Sequence, residues 1–157
     1  MLPIKTTWVS FGGTAAIVTS MSLVLGLEAA SGTRRTIIGA LLIVALADNL
    51  SDSLSVHMYQ EAERLESRQA FLSTAANFAA RLLCALSFVA LVAVVPSHLV
   101  AVVITCWGFA LLVLLSAWIA RARNAPVAKE IGKHVAVSAI VLVISRWLGQ
   151  WLAGSFG

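Results

Sequence analysis

Long apolar runs alternate with short polar segments along the chain, and this pattern predicts five membrane-spanning helices. The runs cover about residues 8–27, 37–60, 70–95, 99–119 and 134–153, and each is bounded by charged residues, proline or glycine. Runs of about 20 apolar residues are long enough to cross the hydrocarbon core of a bilayer. We therefore expect an all-α polytopic membrane protein in which residues 1–157 form a single transmembrane domain.

The composition supports a lipid environment. Of the 157 residues, 60% are hydrophobic and 11% are charged, and the mean hydropathy is +0.94. Soluble domains carry about 25% charged residues, so this chain is far more apolar than they are. The lipid bilayer is therefore an expected partner.

Several function classes lack support in the sequence. The formal net charge of +4 comes without an interleaved basic and aromatic pattern, so nucleic acid is not an expected partner. The chain also shows no Ser-His-Asp order, no closely spaced histidine pair and no glycine-rich phosphate loop. We expect neither an enzyme nor a resident cofactor.

Basic residues are distributed unevenly between the two predicted sides of the membrane. The side of the N-terminus carries Lys5, Arg64, Arg68, Arg121, Arg123, Lys129 and Lys133. Arg34 and Arg35 are the loop cations on the opposite side. Because cytoplasmic loops are enriched in lysine and arginine, we expect the N-terminus to lie in the cytoplasm.

Two carboxylates interrupt the second apolar run. Asp48 and Asp52 lie one helical turn apart, inside a segment that is otherwise suited to hydrocarbon. The same helical stripe holds Ser55 and Tyr59 and continues outward to Glu63 and Glu66. Charged groups within a membrane are costly and commonly functional, and oxygen ligands suit Mn²⁺ and Fe²⁺ and also carry protons. The stripe therefore indicates a cation or proton transporter.

Residues 61–69 form a short segment of acidic and basic residues, which we expect to be a cytoplasmic extension of the second helix. Its glutamates are Glu61, Glu63 and Glu66, and they alternate with Arg64 and Arg68. These glutamates are candidate ligands that collect metal at the cytoplasmic mouth. A solvated charged face is the alternative interpretation.

The intramembrane carboxylates also have a structural interpretation. Arg81 in the third run and Arg146 in the last lie at about the depth of Asp48, roughly 16 to 18 Å at 1.5 Å per residue. Two aspartates and two arginines would form a neutral buried network that holds helices together and binds nothing. The alternative function is then a non-transporting membrane interaction or assembly protein. An arginine partner for Asp52 is the feature that would favour it.

The third apolar run has a polar face of its own. Asn77, Arg81 and Cys84 share this face with Ser73 and Thr74. The face is a candidate lining of the cavity that would hold Asp48 and Asp52, although small polar residues also serve as packing contacts between membrane helices.

The order of several short motifs resembles the vacuolar iron transporter family. Residues 23–27 form a Leu-x-Leu-Gly-Leu pattern at the end of the first helix, and residues 47–51 form an Ala-Asp-x-Leu-Ser segment in the second. The acidic extension follows, the third run closes at Val95-Pro96, and the last helix carries a late Gly149. The resemblance covers nearly the whole chain.

This resemblance implies a five-helix homodimer that exports Fe²⁺ or Mn²⁺ from the cytoplasm in exchange for protons. It implies a bacterial-type member with a short cytoplasmic region, in the inner (cytoplasmic) membrane of a bacterium, with metal ligands on the first two helices. The candidate ligands here are Asp52, Asp48, Glu63, Glu66, Ser55 and Glu61. The metal is then cargo, and protons are the second partner.

The chain also departs from the family pattern. The family has Asp-Gly in the middle of the first helix, where this chain has Ala15-Ala16, and it has methionine where this chain has Asp52. Either a carboxylate has moved from one helix to the other, or the metal function is altered. A homodimer with the second helices facing each other would bring two Asp52 side chains together and replace the missing ligand.

Overall fold

The structure, a computed structural model, describes residues 6–62 and 67–156. Within these residues it contains five α-helices, with a short 3-10 turn before the fourth. The helices are α1 Thr6–Ala29, α2 Arg34–Ala62, α3 Ser67–Val94, α4 Val100–Ala122 and α5 Val127–Phe156. Each contains a stretch long and apolar enough to cross a membrane, which confirms the predicted all-α class with five spanning helices. The single transmembrane domain and the cytoplasmic N-terminus stay predictions.

The last helix begins earlier than hydropathy predicts, at Val127 and not near residue 134. Asn124, two residues after the end of α4, lies in the left-handed region with a φ of 52°, and the Ala125 N–H donates to the Ala120 carbonyl at 2.9 Å. Pro126 follows, and its fixed φ suits the start of a helix. The charged residues after it lower the hydropathy of the first turns without preventing the backbone hydrogen bonds of a helix.

The helix α1 lies at the centre of the bundle and contacts each of the other four helices. The others surround it in chain order, with α2 packed on α3, α3 on α4, and α4 on α5. The apolar core lies around α1, where Met21 and Val24 are fully buried beside Phe88 and Leu112. This order decides which polar side chains can meet.

The outer surface of the bundle is apolar. Large hydrophobic side chains on the outer helices are exposed, among them Ile43, Leu83, Leu114 and Val143. Exposed apolar side chains of this kind form the surface that lipid covers. The protein is therefore an integral membrane protein by fold as well as by composition.

Glycine allows the closest helix contacts in the bundle. A Cβ atom on Gly149 of α5 would overlap the carbonyl oxygen of Gly26 on α1 and would lie 3.0 Å from Ala29 Cβ. On the other side of α1, a Cβ on Gly108 of α4 would overlap the side chain of Met21. Small residues commonly permit such backbone approach between membrane helices. Gly26 and Gly149, two residues of the family resemblance, thus have a packing role.

Arg34 at the start of α2 caps the C-terminal end of α3. Its guanidinium donates to the Ala93 carbonyl at 3.0 Å, to the Val95 carbonyl at 2.7 Å and to Ser97 Oγ at 3.4 Å. The last carbonyls of a helix lack partners within the helix and carry partial negative charge, so a cation there is favourable. This contact gives Arg34 a structural role. Arg34 is one of the two loop cations on the predicted side of the membrane that carries few basic residues.

We expect Arg34→Ala to lower the free energy of unfolding by about 1 kcal/mol, because it removes the donors from the end of α3. The matched control is Arg35→Ala, since no hydrogen bond or ion pair is found between Arg35 and the described residues. We expect this control to stay within about 0.5 kcal/mol of the wild type. Reversible unfolding in SDS measures both, and equal losses would contradict the capping role.

Candidate functional site

Arg81 on α3 forms the centre of a polar cluster within the bundle. Its side chain is 1% exposed, and its guanidinium contacts three side chains of α2. Nε donates to Asn49 Oδ1 at 2.7 Å, Nη2 donates to Asp48 Oδ2 at 2.7 Å, and Nη1 forms an ion pair with Asp52 Oδ2. These four residues are referred to below as the Arg81 cluster.

The local sequence of α2 explains how one arginine contacts three partners. Asp48 and Asp52 lie one turn apart on one stripe, and Asn49 lies beside Asp48. The planar guanidinium carries five N–H donors in a fork, so it can meet acceptors on several sides at once. An arginine on the adjacent helix therefore joins two turns of α2.

The two carboxylates are more open than their arginine. The side chain of Asp48 is 45% exposed and that of Asp52 is 44% exposed. Arg81 contacts the Oδ2 atom of each, so the Oδ1 atoms are not used in these contacts. Among the described residues, two carboxyl groups thus share one guanidinium, and the formal charges of the cluster sum to minus one.

Arg146 does not join this cluster. It lies on α5, where it lines a shallow groove with Ala101, Val102, Thr105 and Cys106 of α4. The helix α5 packs on α1 and α4, whereas both aspartates belong to α2 on the far side of the bundle. An equal depth along the sequence therefore does not bring Arg146 and Asp48 together, and the neutral network of two aspartates and two arginines does not form.

Among the other predicted ligands, Ser55 has a described side chain, and it does not join the Arg81 cluster. Ser55 is exposed, and its hydroxyl donates to the Ser51 carbonyl of the same helix at 2.9 Å. The side chain of Glu61, and Glu63 and Glu66 as a whole, lie outside the described residues. Within the part of the chain that is described, no group of three or more His, Cys, Asp or Glu residues is placed to hold a metal ion.

A row of buried polar side chains continues from the Arg81 cluster along the contact of α2 with α3. Asn49, Ser53 and Asn77 are at most 5% exposed. Asn49 Nδ2, Ser53 Oγ and Asn77 Oδ1 have no hydrogen-bond partner in the described structure, nor has Thr74 Oγ1. The face of Asn77 was predicted as a cavity lining, but sequence reasoning missed Asn49 and Ser53 as site residues. The available signal was their position, since Asn49 and Ser53 lie four residues apart and each follows one of the two aspartates.

The helix α1 covers this polar row through Gly12. A Cβ atom at Gly12 would overlap Asn77 Oδ1 and would lie 2.8 Å from Arg81 Cδ. Because glycine has no side chain, the α1 backbone approaches both polar groups closely. The row is therefore enclosed by three helices.

In comparisons with family models, curated proteins and solved structures, nothing matches the chain. Its class rests on the fold and the site. It is an integral membrane protein whose described residues form five helices, four of which surround α1. The distinguishing feature is an aspartate, asparagine and arginine cluster between two spanning helices.

Proposed function

We propose that the protein exchanges a divalent cation, Fe²⁺ or Mn²⁺, for protons across the membrane. The observation that carries the proposal is the charge of the Arg81 cluster, in which Asp48 and Asp52 share one guanidinium. An uncompensated carboxylate in a membrane is costly, so binding a cation or a proton stabilises the cluster. The resemblance of residues 47–51 to vacuolar iron transporters points to the same chemistry.

The carboxylate oxygens would carry the exchange. Arg81 contacts one oxygen of each aspartate, and the second oxygen of each is left to bind a metal ion or a proton. Deprotonated carboxylates bind the metal and protonated carboxylates release it, so the two fluxes run in opposite directions. Arg81 supplies a fixed positive charge that limits how tightly the cation is held.

Charge balance favours a homodimer as the working unit. One Arg81 cluster carries a charge of about minus one, so a divalent ion over-compensates a single copy. Two clusters facing each other across a two-fold axis would carry twice this charge, which one divalent ion or two protons neutralise. In this proposal the second copy supplies a carboxylate in place of the first-helix aspartate of the family pattern, where this chain has Ala15-Ala16.

The proposed direction is out of the cytoplasm, across the inner membrane of a bacterium. It rests on the cytoplasmic N-terminus that the distribution of basic residues predicts. Glu61, Glu63 and Glu66 would then collect metal at the cytoplasmic mouth.

A second candidate function is a non-transporting interaction or assembly protein. It is favoured by one specific observation, the ion pair between Asp52 and Arg81. In that case the cluster holds α2 against α3, and its carboxylates never exchange their partner.

Flux of Mn²⁺ and Fe²⁺ into proteoliposomes under an imposed pH gradient separates the two functions. We expect wild-type flux that needs the gradient, and Asp52→Asn should lower it at least about tenfold, a loss equivalent to about 1.4 kcal/mol. Asp52→Asn keeps the neutral pair of Asp48 with Arg81, so the bundle should still fold.

The matched control is Glu130→Gln, which removes a carboxylate that pairs with Lys133 on α5. It should leave the flux unchanged. Absence of flux in correctly inserted wild-type protein would contradict exchange and favour the assembly function. Flux in Asp52→Asn equal to that of the wild type would show that Asp52 does not take part in the exchange.

A further inference from the structure

We infer that a chain of bound water molecules runs between α2 and α3 and carries the exchanged protons between the Arg81 cluster and the end of α2 that is predicted to face the cytoplasm. The inference rests on the proposed function and specifies the path of its protons. The path is lined by side chains that we refer to as the polar seam: Asn49, Ser53 and His57 on α2, and Ser73, Thr74 and Asn77 on α3.

The packing register brings these side chains to matching levels. The hydrogen bond of 2.7 Å between Arg81 and Asn49 fixes the alignment of the two antiparallel helices. One turn further along, four residues on each helix, Ser53 lies level with Asn77. One more turn brings His57 level with Ser73. The polar seam thus extends from the Arg81 cluster toward the α2 end that is followed by residue 63.

Three buried residues of the polar seam each have a polar atom without a partner in the part of the chain that is described. Asn49 is 2% exposed, Ser53 is 5% exposed and Asn77 is 2% exposed. Asn49 Nδ2, Ser53 Oγ and Asn77 Oδ1 nevertheless have no hydrogen-bond partner among the described residues. Lipid cannot supply one, and leaving such groups unpaired is costly. Water is the remaining small molecule that both donates and accepts hydrogen bonds.

The dimensions of the polar seam suit single water molecules. Successive levels are about 6 Å apart along the helices, and two hydrogen bonds of about 2.8 Å through one water span nearly that distance. A buried water needs two to four polar partners, and Asn49, Ser53 and Asn77 offer both donors and acceptors. At the level of Asn77 and Arg81, the α1 backbone at Gly12 covers the seam.

Proton transfer along this chain is balanced at every step. Each water accepts a proton on one side and releases another to the next oxygen, so that a proton entering at the Arg81 cluster is matched by one leaving at the α2 end. The titratable groups that line or end the path in the described residues are His57, Asp48 and Asp52 on α2, and Arg81 on α3. Where α1 closes the path it contributes Gly12, which does not titrate.

Radiolytic labelling tests for the water independently of transport. Hydroxyl radicals generated from water by X-ray pulses oxidise a cysteine beside a bound water. The variants are Ser53→Cys and the lipid-facing neighbour Leu54→Cys, each with Cys84→Ala and Cys106→Ala, in lipid nanodiscs. We expect several-fold faster oxidation in Ser53→Cys, measured by mass spectrometry. Equal or slower oxidation than in Leu54→Cys would overturn the water chain.

Proton flux during metal exchange tests the path itself. Ser53→Ala should slow the proton flux about tenfold, the factor that one lost hydrogen bond represents, without weakening Mn²⁺ binding. The control is Ser138→Ala, a buried serine on α5 whose hydroxyl donates to the His134 carbonyl. An unchanged proton flux in Ser53→Ala would overturn the path. Absence of wild-type flux would overturn both the proton path and the proposed function. In that case the labelling experiment still decides whether water is bound in the polar seam.

Discussion

Arg81→Met will lower the free energy of unfolding by about 3 kcal/mol, because breaking a buried ion pair leaves its partner uncompensated. The guanidinium is almost fully buried and holds both aspartates and Asn49. Methionine fills much of the volume but supplies no donor. The expected loss of about 3 kcal/mol lies at the lower end of the range for broken buried ion pairs, because the two carboxylates are nearly half exposed.

The control for this prediction is Arg146→Met, which removes an arginine at a similar depth that lies outside the cluster. We expect a change within about 0.5 kcal/mol, as for surface substitutions. Reversible SDS unfolding of both variants gives the comparison. Equal losses would show that removing any arginine at this depth destabilises the bundle, whether or not it belongs to the Arg81 cluster.

A rescue experiment separates charge from packing. In the Arg81→Met background, Asp48→Asn together with Asp52→Asn removes the uncompensated negative charges. Most of the lost stability should return, because the neutral amides no longer need a cation. If stability stays low, the loss comes from packing around residue 81, and the charge argument for the proposed exchange weakens.

The second large effect is expected at the contact of α1 with α5. Gly149→Ala should lower the free energy of unfolding by about 2 to 3 kcal/mol, because the new Cβ meets a backbone oxygen that cannot rotate away. The overlapping atom is the Gly26 carbonyl oxygen, and Ala29 Cβ is 3.0 Å away. The two helices must therefore move apart along their contact.

Two other glycines provide a graded comparison, measured by the same SDS unfolding. Gly108→Ala meets the side chain of Met21, which is flexible, so we expect a loss of about 1 kcal/mol. Gly154→Ala on α5 meets nothing within 4 Å and should be neutral or slightly stabilising through helix propensity. Similar losses at Gly149 and Gly154 would contradict the close contact.

The sequence by itself determined the number of spanning helices and the depth of the charged residues. Hydrocarbon demands apolar runs of nearly constant length, so hydropathy alone locates the spans of a chain like this one. The helical period placed Asp48 and Asp52 on one stripe, and counting residues placed Arg81 at about the same depth. These are properties of single helices, which need no knowledge of their neighbours.

Only the tertiary structure decided which side chains meet. Arg81 and Arg146 lie at similar depths, but α3 packs on α2 and α5 does not, so one arginine contacts the aspartates and the other lines a distant groove. That order depends on close contacts such as Gly26 with Gly149, which join residues far apart in the chain. Depth follows from the rise per residue of one helix, whereas the choice of partner follows from the packing of several helices, which no local pattern encodes.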